Sequence, residues 1–154
     1  MIKILKGDLL QVEKGIIGHQ VNCMGVMGSG VAVQVKKKYP IAFDEYRALV
    51  EEYDIGEDIR RSLLGQTQII PINEDLYIAN MFGQFNYGSD GKKYTKEEKL
   101  FECFKHLRHI SEQFELPVYL PYLIGCYRGG ADWNVVENYL DIAFNGHEVT
   151  LYKL

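Results

Sequence analysis

The apolar and polar positions divide the chain into short apolar runs and longer stretches with helical spacing. Ile2 to Leu5 is a short apolar run ended by Gly7-Asp8, and Gly15 to about Val21 is a second. Runs of this length bounded by turn residues read as strands. Leu9 to Lys14 connects them. Val31, Ala32 and Val35 then form one helical face, and Lys36, Lys37 and Lys38 stand at the helix end where positive charge suits the dipole. Pro40 opens a further helix with Phe43, Tyr46, Leu49, Val50 and Tyr53 on its buried stripe. Gln68 to Ile72 and Leu76 to Met81 predict a hairpin across Asn73-Glu74-Asp75, and Phe82 to Tyr94 reads as a mobile, glycine-bearing loop. Thr95-Lys96-Glu97-Glu98 has the spacing of a capping box ahead of a long helix carrying Leu100, Cys103, Phe104, Leu107, Ile110 and Phe114. Pro117 to Leu120 is a buried strand. Asp132 caps a last helix through Trp133, Val136, Leu140, Ala143 and Phe144, Gly146 ends it, and Glu148 to Leu154 is the final strand. Strands alternating with helices, with one hairpin, predict an α/β fold whose mixed sheet is covered on both faces.

Composition narrows the class. A length of 154 residues suits one domain with its own core, and 47% apolar with 25% charged residues is ordinary for a soluble globular protein. A net charge of −4 argues against a non-specific nucleic-acid binder, but local backbone dipoles can still hold a phosphate-bearing ligand. The opening MIKILKGD is too short and too charged for a signal peptide, and no apolar run reaches the length of a membrane helix. Cys23, Cys103 and Cys126 are odd in number and widely spaced, which suits reduced thiols in a cytoplasmic setting. No CxxC or His-x-x-x-His pair suggests a metal, so neither metal nor cofactor is expected, and the chain is expected to be a monomer.

The candidate chemistry lies in two glycine loops. In the first, Val21 leads into Asn22-Cys23, then Gly25, Gly28 and Gly30, then a helix start. Glycine lets backbone approach a ligand closely, and a helix N-terminus offers free N–H groups to an anion. In the second, Leu123-Ile124-Gly125-Cys126-Tyr127-Arg128-Gly129-Gly130-Ala131-Asp132-Trp133 repeats that order. Two such loops suggest a pyrophosphate held from both sides, beyond the carboxyl ends of the strands. A dinucleotide fingerprint fits less well, because Val33 stands where its third glycine belongs, and no G-x-x-x-x-G-K-[ST] is present. Asp8 is either a turn or cap residue or an acceptor for the exocyclic amine of a purine.

Lys6-Gly7-Asp8-Leu9-Leu10, Asn22-Cys23 with Met27-Gly28-Ser29-Gly30-Val31-Ala32, Pro121 through Trp133, and the ending Val149 to Leu154 together resemble a macrodomain over essentially the full length. The likeness is to the branch containing ADP-ribose 1''-phosphate phosphatases, terminal ADP-ribose protein glycohydrolase, DNA ADP-ribosyl glycohydrolase antitoxins, and small phage and bacterial macrodomains. The resemblance implies a three-layer α/β/α fold that binds ADP-ribose or a 1''-substituted derivative. It implies that Asp8 takes the adenine amine with the Leu9 backbone beside it, and that Tyr152 is a candidate for the adenine side. It further implies that Gly25 to Ala32, including Met27 and Val31, holds the diphosphate and distal ribose near Asn22, and that Gly125 to Ala131 closes over them. Glycohydrolases of this branch use a lysine after the fourth strand with an acid on the second glycine loop. Here Gln84 stands nearest the lysine position, and Gly129 or Gly130 at the acid position.

Those departures turn the expected chemistry toward the phosphatase reaction. Asn22 and Gln84 can orient a water or hold a hydroxyl, but neither is a general base. Asp132 can act as a base or serve only as a helix cap. Cys126 suits packing better than nucleophilic attack, because no histidine is evident beside it. Arg128 can contact a terminal phosphate or stand in solvent. His19 is expected to be structural or exposed. A non-catalytic ADP-ribose reader, and a glycohydrolase in which Lys92 or Lys93 replaces the missing lysine, are the other readings.

Overall fold

Strand β2 (Gly15–Val21) is apolar on both sides because it runs through the middle of the sheet with a helical layer on each face. The structure, a computed structural model, describes all 154 residues. The other strands are β1 (Ile2–Lys6), β3 (Thr67–Pro71), β4 (Leu76–Phe82), β5 (Val118–Pro121) and β6 (Val149–Lys153). They lie in the order β1-β6-β5-β2-β4-β3, all neighbours parallel except the β3–β4 hairpin. The helices are α1 (Gly30–Lys38), α2 (Pro40–Glu52), α3 (Glu57–Arg61), α4 (Glu97–Phe114) and α5 (Trp133–Ala143). The result is a three-layer α/β/α fold with a mixed central sheet.

Alternate residues of β2 feed different layers. Ile16 joins Leu100, Phe104, Leu107, Leu140 and Phe144 beneath α4 and α5, while Ile17 joins Val35, Ala42 and Ile78 on the opposite face. A third cluster, with Val21, Cys23, Met27, Tyr46 and Phe82, lies under the first glycine loop. Gly18 is as close-packed as any core position: a Cβ there would meet Leu120 Cδ2 at 2.6 Å.

The predicted strands and long helices are present within a residue or two, with two corrections. Helix α3 is absent from the sequence expectation; its five residues include no buried position, so no apolar period marks it. The capping box at Thr95 is not formed. Lys96 is the N-cap of α4 without a side-chain bond, and Thr95 Oγ1 instead donates to the Gly125 carbonyl at 2.7 Å. Asp132 does cap α5, accepting from the Asn134 N–H at 2.9 Å. No helix is long and apolar enough to cross a membrane. Because β2, β4 and β5 are parallel, the loops that follow them emerge at one edge of the sheet.

Candidate functional site

At that edge lies a cavity of about 460 Å³, large enough for a nucleotide-sized ligand. The first glycine loop and the start of α1 form one wall, Pro121 to Gly129 the opposite wall, and Gln84 with Tyr87 to Ser89 an end. The N–H groups of Gly30, Val31 and Ala32 have no backbone acceptor, as the first turn of a helix requires. Across the cavity, the N–H groups of Gly125, Tyr127, Arg128 and Gly129 also lack one. Two sets of donors without backbone partners thus belong to residues that border one cavity, an arrangement that suits the oxygens of a diphosphate. Leu123, on the second wall, holds a left-handed φ of 61°, a strained setting for a branched side chain.

Each loop is held by side chains from the sheet and helices behind it. Asn22, at the end of β2, is buried beneath the first loop. Its Oδ1 accepts from Met24 N–H at 2.9 Å and from the Tyr46 hydroxyl at 2.7 Å, and its Nδ2 donates to the Val26 carbonyl at 2.9 Å. The Tyr46 oxygen also accepts from Gly25 N–H at 3.1 Å. Asn22 therefore shapes the loop, with most of its amide capacity spent there. The second wall is tied to the sheet by Gln20. Its Nε2 donates to Gln84 Oε1 and to Thr95 Oγ1, the latter at 2.9 Å, and Thr95 donates onward to Gly125. Tyr94 and Thr95 N–H both reach the Gly129 carbonyl, so the segment expected to be a mobile loop is fastened along its C-terminal part.

Of the residues singled out from sequence, His19, Asn22, Gly28, Ser29, Gly30, Val31, Ala32, Gln84 and Gly125 through Gly129 border the cavity. Gly25, Met27, Gly130, Ala131 and Asp132 do not: Gly25 and Met27 border a separate depression beside α2, Gly130 is exposed next to Lys92 and Lys93, Ala131 is buried, and Asp132 is at the helix cap. Asp8 is exposed, and its Oδ1 accepts from Leu10 N–H at 2.9 Å, the cap reading; Leu9 is buried beside it. Tyr152 stands against Tyr119 at 5.9 Å and beneath Gly7, and its register partner Pro121 borders the cavity. Neither Asp8 nor Tyr152 borders the cavity; Asp8 follows the end of β1, and Tyr152 stands on β6 beside Pro121. Sequence reasoning passes over Gln20, Leu123 and Tyr87. A glutamine at the end of an otherwise apolar central strand is the available signal for the first. His19, expected to be structural or exposed, is fully buried, with Nε2 2.6 Å from Asn80 Oδ1.

No protein-family profile matches the chain. Among curated relatives, it is 27% identical over 147 residues to a DNA ADP-ribosyl glycohydrolase of Mycobacterium tuberculosis, covering 94% of this chain but only 39% of that protein. It is 29% identical over 180 residues to an ADP-ribose 1''-phosphate phosphatase of Saccharomyces cerevisiae, covering 99% and 98%. The solved macrodomain of Mycobacterium tuberculosis DarG superposes over 100% of this chain and 98% of that one, with a TM-score of 0.81 at 25% identity. The chain has the macrodomain fold.

In this macrodomain fold the site is poor in groups that move protons. No carboxylate borders the cavity. Burial pushes the Cys126 thiol up to about 11 and the Cys23 thiol up to about 12, so both stay protonated at neutral pH. Lys93 is tied to the buried carboxylate of Glu97 and Lys92 pairs with Asp90, and neither borders the cavity. Burial lowers His19 from 6.5 to about 4 against the opposing bond from Asn80, so the folded protein keeps it neutral. Between pH 6.5 and 4 the unfolded chain takes a proton there and the folded one does not. Stability is therefore intact above pH 6.5 and falls as the pH drops, by about 3 kcal/mol from this residue at pH 4. Melting temperatures across that range should fall more steeply for wild type than for His19→Gln; equal slopes would contradict a neutral buried His19.

Proposed function

We propose that this protein binds ADP-ribose and hydrolyses a substituent at its 1'' end, with ADP-ribose 1''-phosphate as the substrate. The observation that carries this reading is that N–H groups without backbone partners, those of Gly30 to Ala32 and of Gly125, Tyr127, Arg128 and Gly129, belong to two loops that border one cavity. Those groups match a diphosphate, and the side of the cleft toward Asp8 and Tyr152 is where the adenine would lie. The similarity to a yeast ADP-ribose 1''-phosphate phosphatase over nearly both full lengths supports the same substrate.

With adenosine and diphosphate fixed, the 1''-phosphate reaches the end of the cleft at Gln84. There a water oxygen bonds to phosphorus and the bond from phosphorus to the 1'' oxygen breaks. The leaving oxygen takes up a proton that the water gives up, yielding ADP-ribose and inorganic phosphate. Positioning and N–H donors aimed at the phosphoryl oxygens supply the rate, and without a general base the enzyme is slow. Gln84 can contribute only as a donor: its Oε1 is taken by Gln20, and one hydrogen of its Nε2 goes to the Asn86 carbonyl at 2.7 Å. Phosphate release from ADP-ribose 1''-phosphate should be measurable in wild type and roughly 100-fold slower in Gln84→Ala, the order of effect of one lost donor. Release no faster than background, with ADP-ribose still binding more tightly than ADP or AMP by calorimetry, would favour a non-catalytic reader. We place the protein in a reducing compartment such as the cytoplasm on its three free thiols, and as a monomer.

A further inference from the structure

The side chain of Gln20, which ties the second wall to the sheet, occupies a space that the fold leaves shaped for its amide. A Cβ on Gly125 would stand 3.2 Å from its Oε1, one on Gly129 would stand 3.1 Å from its Nε2, and one on Gly83 would collide with its Oε1. Three glycines on two segments, one after β4 and two in the second glycine loop, thus admit one glutamine. The direction of every hydrogen bond around it is fixed. The Asn86 carbonyl can only accept, so Gln84 must turn its NH₂ toward Asn86 and its Oε1 toward Gln20. Gln20 must then present its own NH₂, one hydrogen to Gln84 and the other to Thr95. Thr95, accepting from Gln20, has its hydroxyl hydrogen left for Gly125.

We infer that Gln20 is a positioning residue: by donating to Gln84 Oε1 it holds the second, unpaired N–H of Gln84 toward the cavity, where it meets an oxygen of the 1''-phosphate. This rests on the phosphatase reading above and adds the residue that orients its donor. Without Gln20 the amide of Gln84 keeps only its bond to the Asn86 carbonyl and can swing about it, so its second N–H is no longer aimed at the phosphate. The diphosphate wall depends on Gln20 only through Thr95, which holds the Gly125 carbonyl, and not on the orientation of Gln84.

Gln20→Glu tests this through its pH profile. In its ionised form the introduced carboxylate can only accept and cannot hold Gln84 Oε1. In its neutral form the acid donates one O–H and restores the link, and enclosure among uncharged groups raises the pH at which it protonates. The quantity to measure is the ratio of variant to wild-type phosphate release, because the substrate phosphate itself titrates in this range. The expected ratio is about one tenth at pH 8, rising toward one as the pH falls to 5, with the kcat carrying that change and the affinity for ADP-ribose, which the tie through Thr95 also supports, falling less than the kcat at pH 8. Gln20→Met, of similar size and without a donor, should stay low at every pH. A constant ratio, or a fall in ADP-ribose affinity matching the fall in rate, would overturn the inference and leave Gln20 a purely structural residue. If neither variant folds, nitrogen-15 spectra of wild type decide: the side-chain NH₂ signal of Gln84 should shift when inorganic phosphate is added to the ADP-ribose complex, and an unmoved signal would overturn it. Wild type that releases no phosphate would refute the phosphatase reading instead, a distinct result.

Discussion

Replacing Asn22 by alanine should lower stability by about 2 kcal/mol and weaken ADP-ribose binding by at least about tenfold. The substitution leaves the Met24 N–H and the Val26 carbonyl without the partner each now has, in a position only 7% exposed, while the Tyr46 hydroxyl keeps the backbone carbonyl of residue 22 at 2.8 Å. Each lost bond in such a setting costs on the order of 1 kcal/mol. For a domain of this size that corresponds to a melting temperature roughly 4–8 °C lower. The loss of affinity follows because the same bonds hold the loop that positions the first set of N–H groups. Tyr46→Phe is the milder companion. It strips Gly25 N–H of its acceptor and Asn22 of one donor, and should cost about 1–2 kcal/mol. Thermal melting and calorimetric titration check both, and an Asn22→Ala protein that melts and binds like wild type would show that the loop is held by something else.

Gly129→Ala should disable the opposite wall while leaving most of the core intact. Its φ is not in the left-handed region, so the backbone itself can accept a side chain; the obstacle is what a Cβ would meet. The added methyl would lie 2.5 Å from the Gly125 carbonyl oxygen and collide with Thr95 Oγ1. Those two atoms are bonded to each other and fasten the loop to Gln20, so the methyl must push them apart. Overpacking of this kind costs about 1–3 kcal/mol. Moving the second set of donors away from the first should weaken ADP-ribose binding by roughly 10- to 100-fold, since each 1.4 kcal/mol is worth about tenfold. Unchanged affinity would show that this wall does not touch the ligand.

Most of the framework is legible in the sequence because its signals are local. The apolar run from Gly15 to Val21 suits only a buried strand, and the glycines at its end mark a turn into a helix start. The capping of α5 by Asp132 is visible for the same reason. What escapes depends on distant partners. Thr95 reads as a helix cap from its neighbours in sequence, but its hydroxyl is claimed by Gly125, thirty residues on. Tyr46 is legible as one more apolar position on α2, while the role of its hydroxyl under Gly25 requires the packing of α2 beneath the loop. Gln20 looks like a polar interruption of a strand until Gly83, Gly125 and Gly129 are seen to surround it. Conversely, Asn22 borders the cavity as its sequence position suggests, but the structure gives its amide to the loop before any ligand arrives.

The most direct test is a crystal structure of the protein with ADP-ribose bound. The diphosphate should lie between the N–H groups of Gly30 to Ala32 and those of Gly125 to Gly129, with the adenine on the side of Asp8 and Tyr152 and the 1'' carbon toward Gln84. A ligand seated elsewhere, or a diphosphate touching only one of the two walls, would contradict this arrangement.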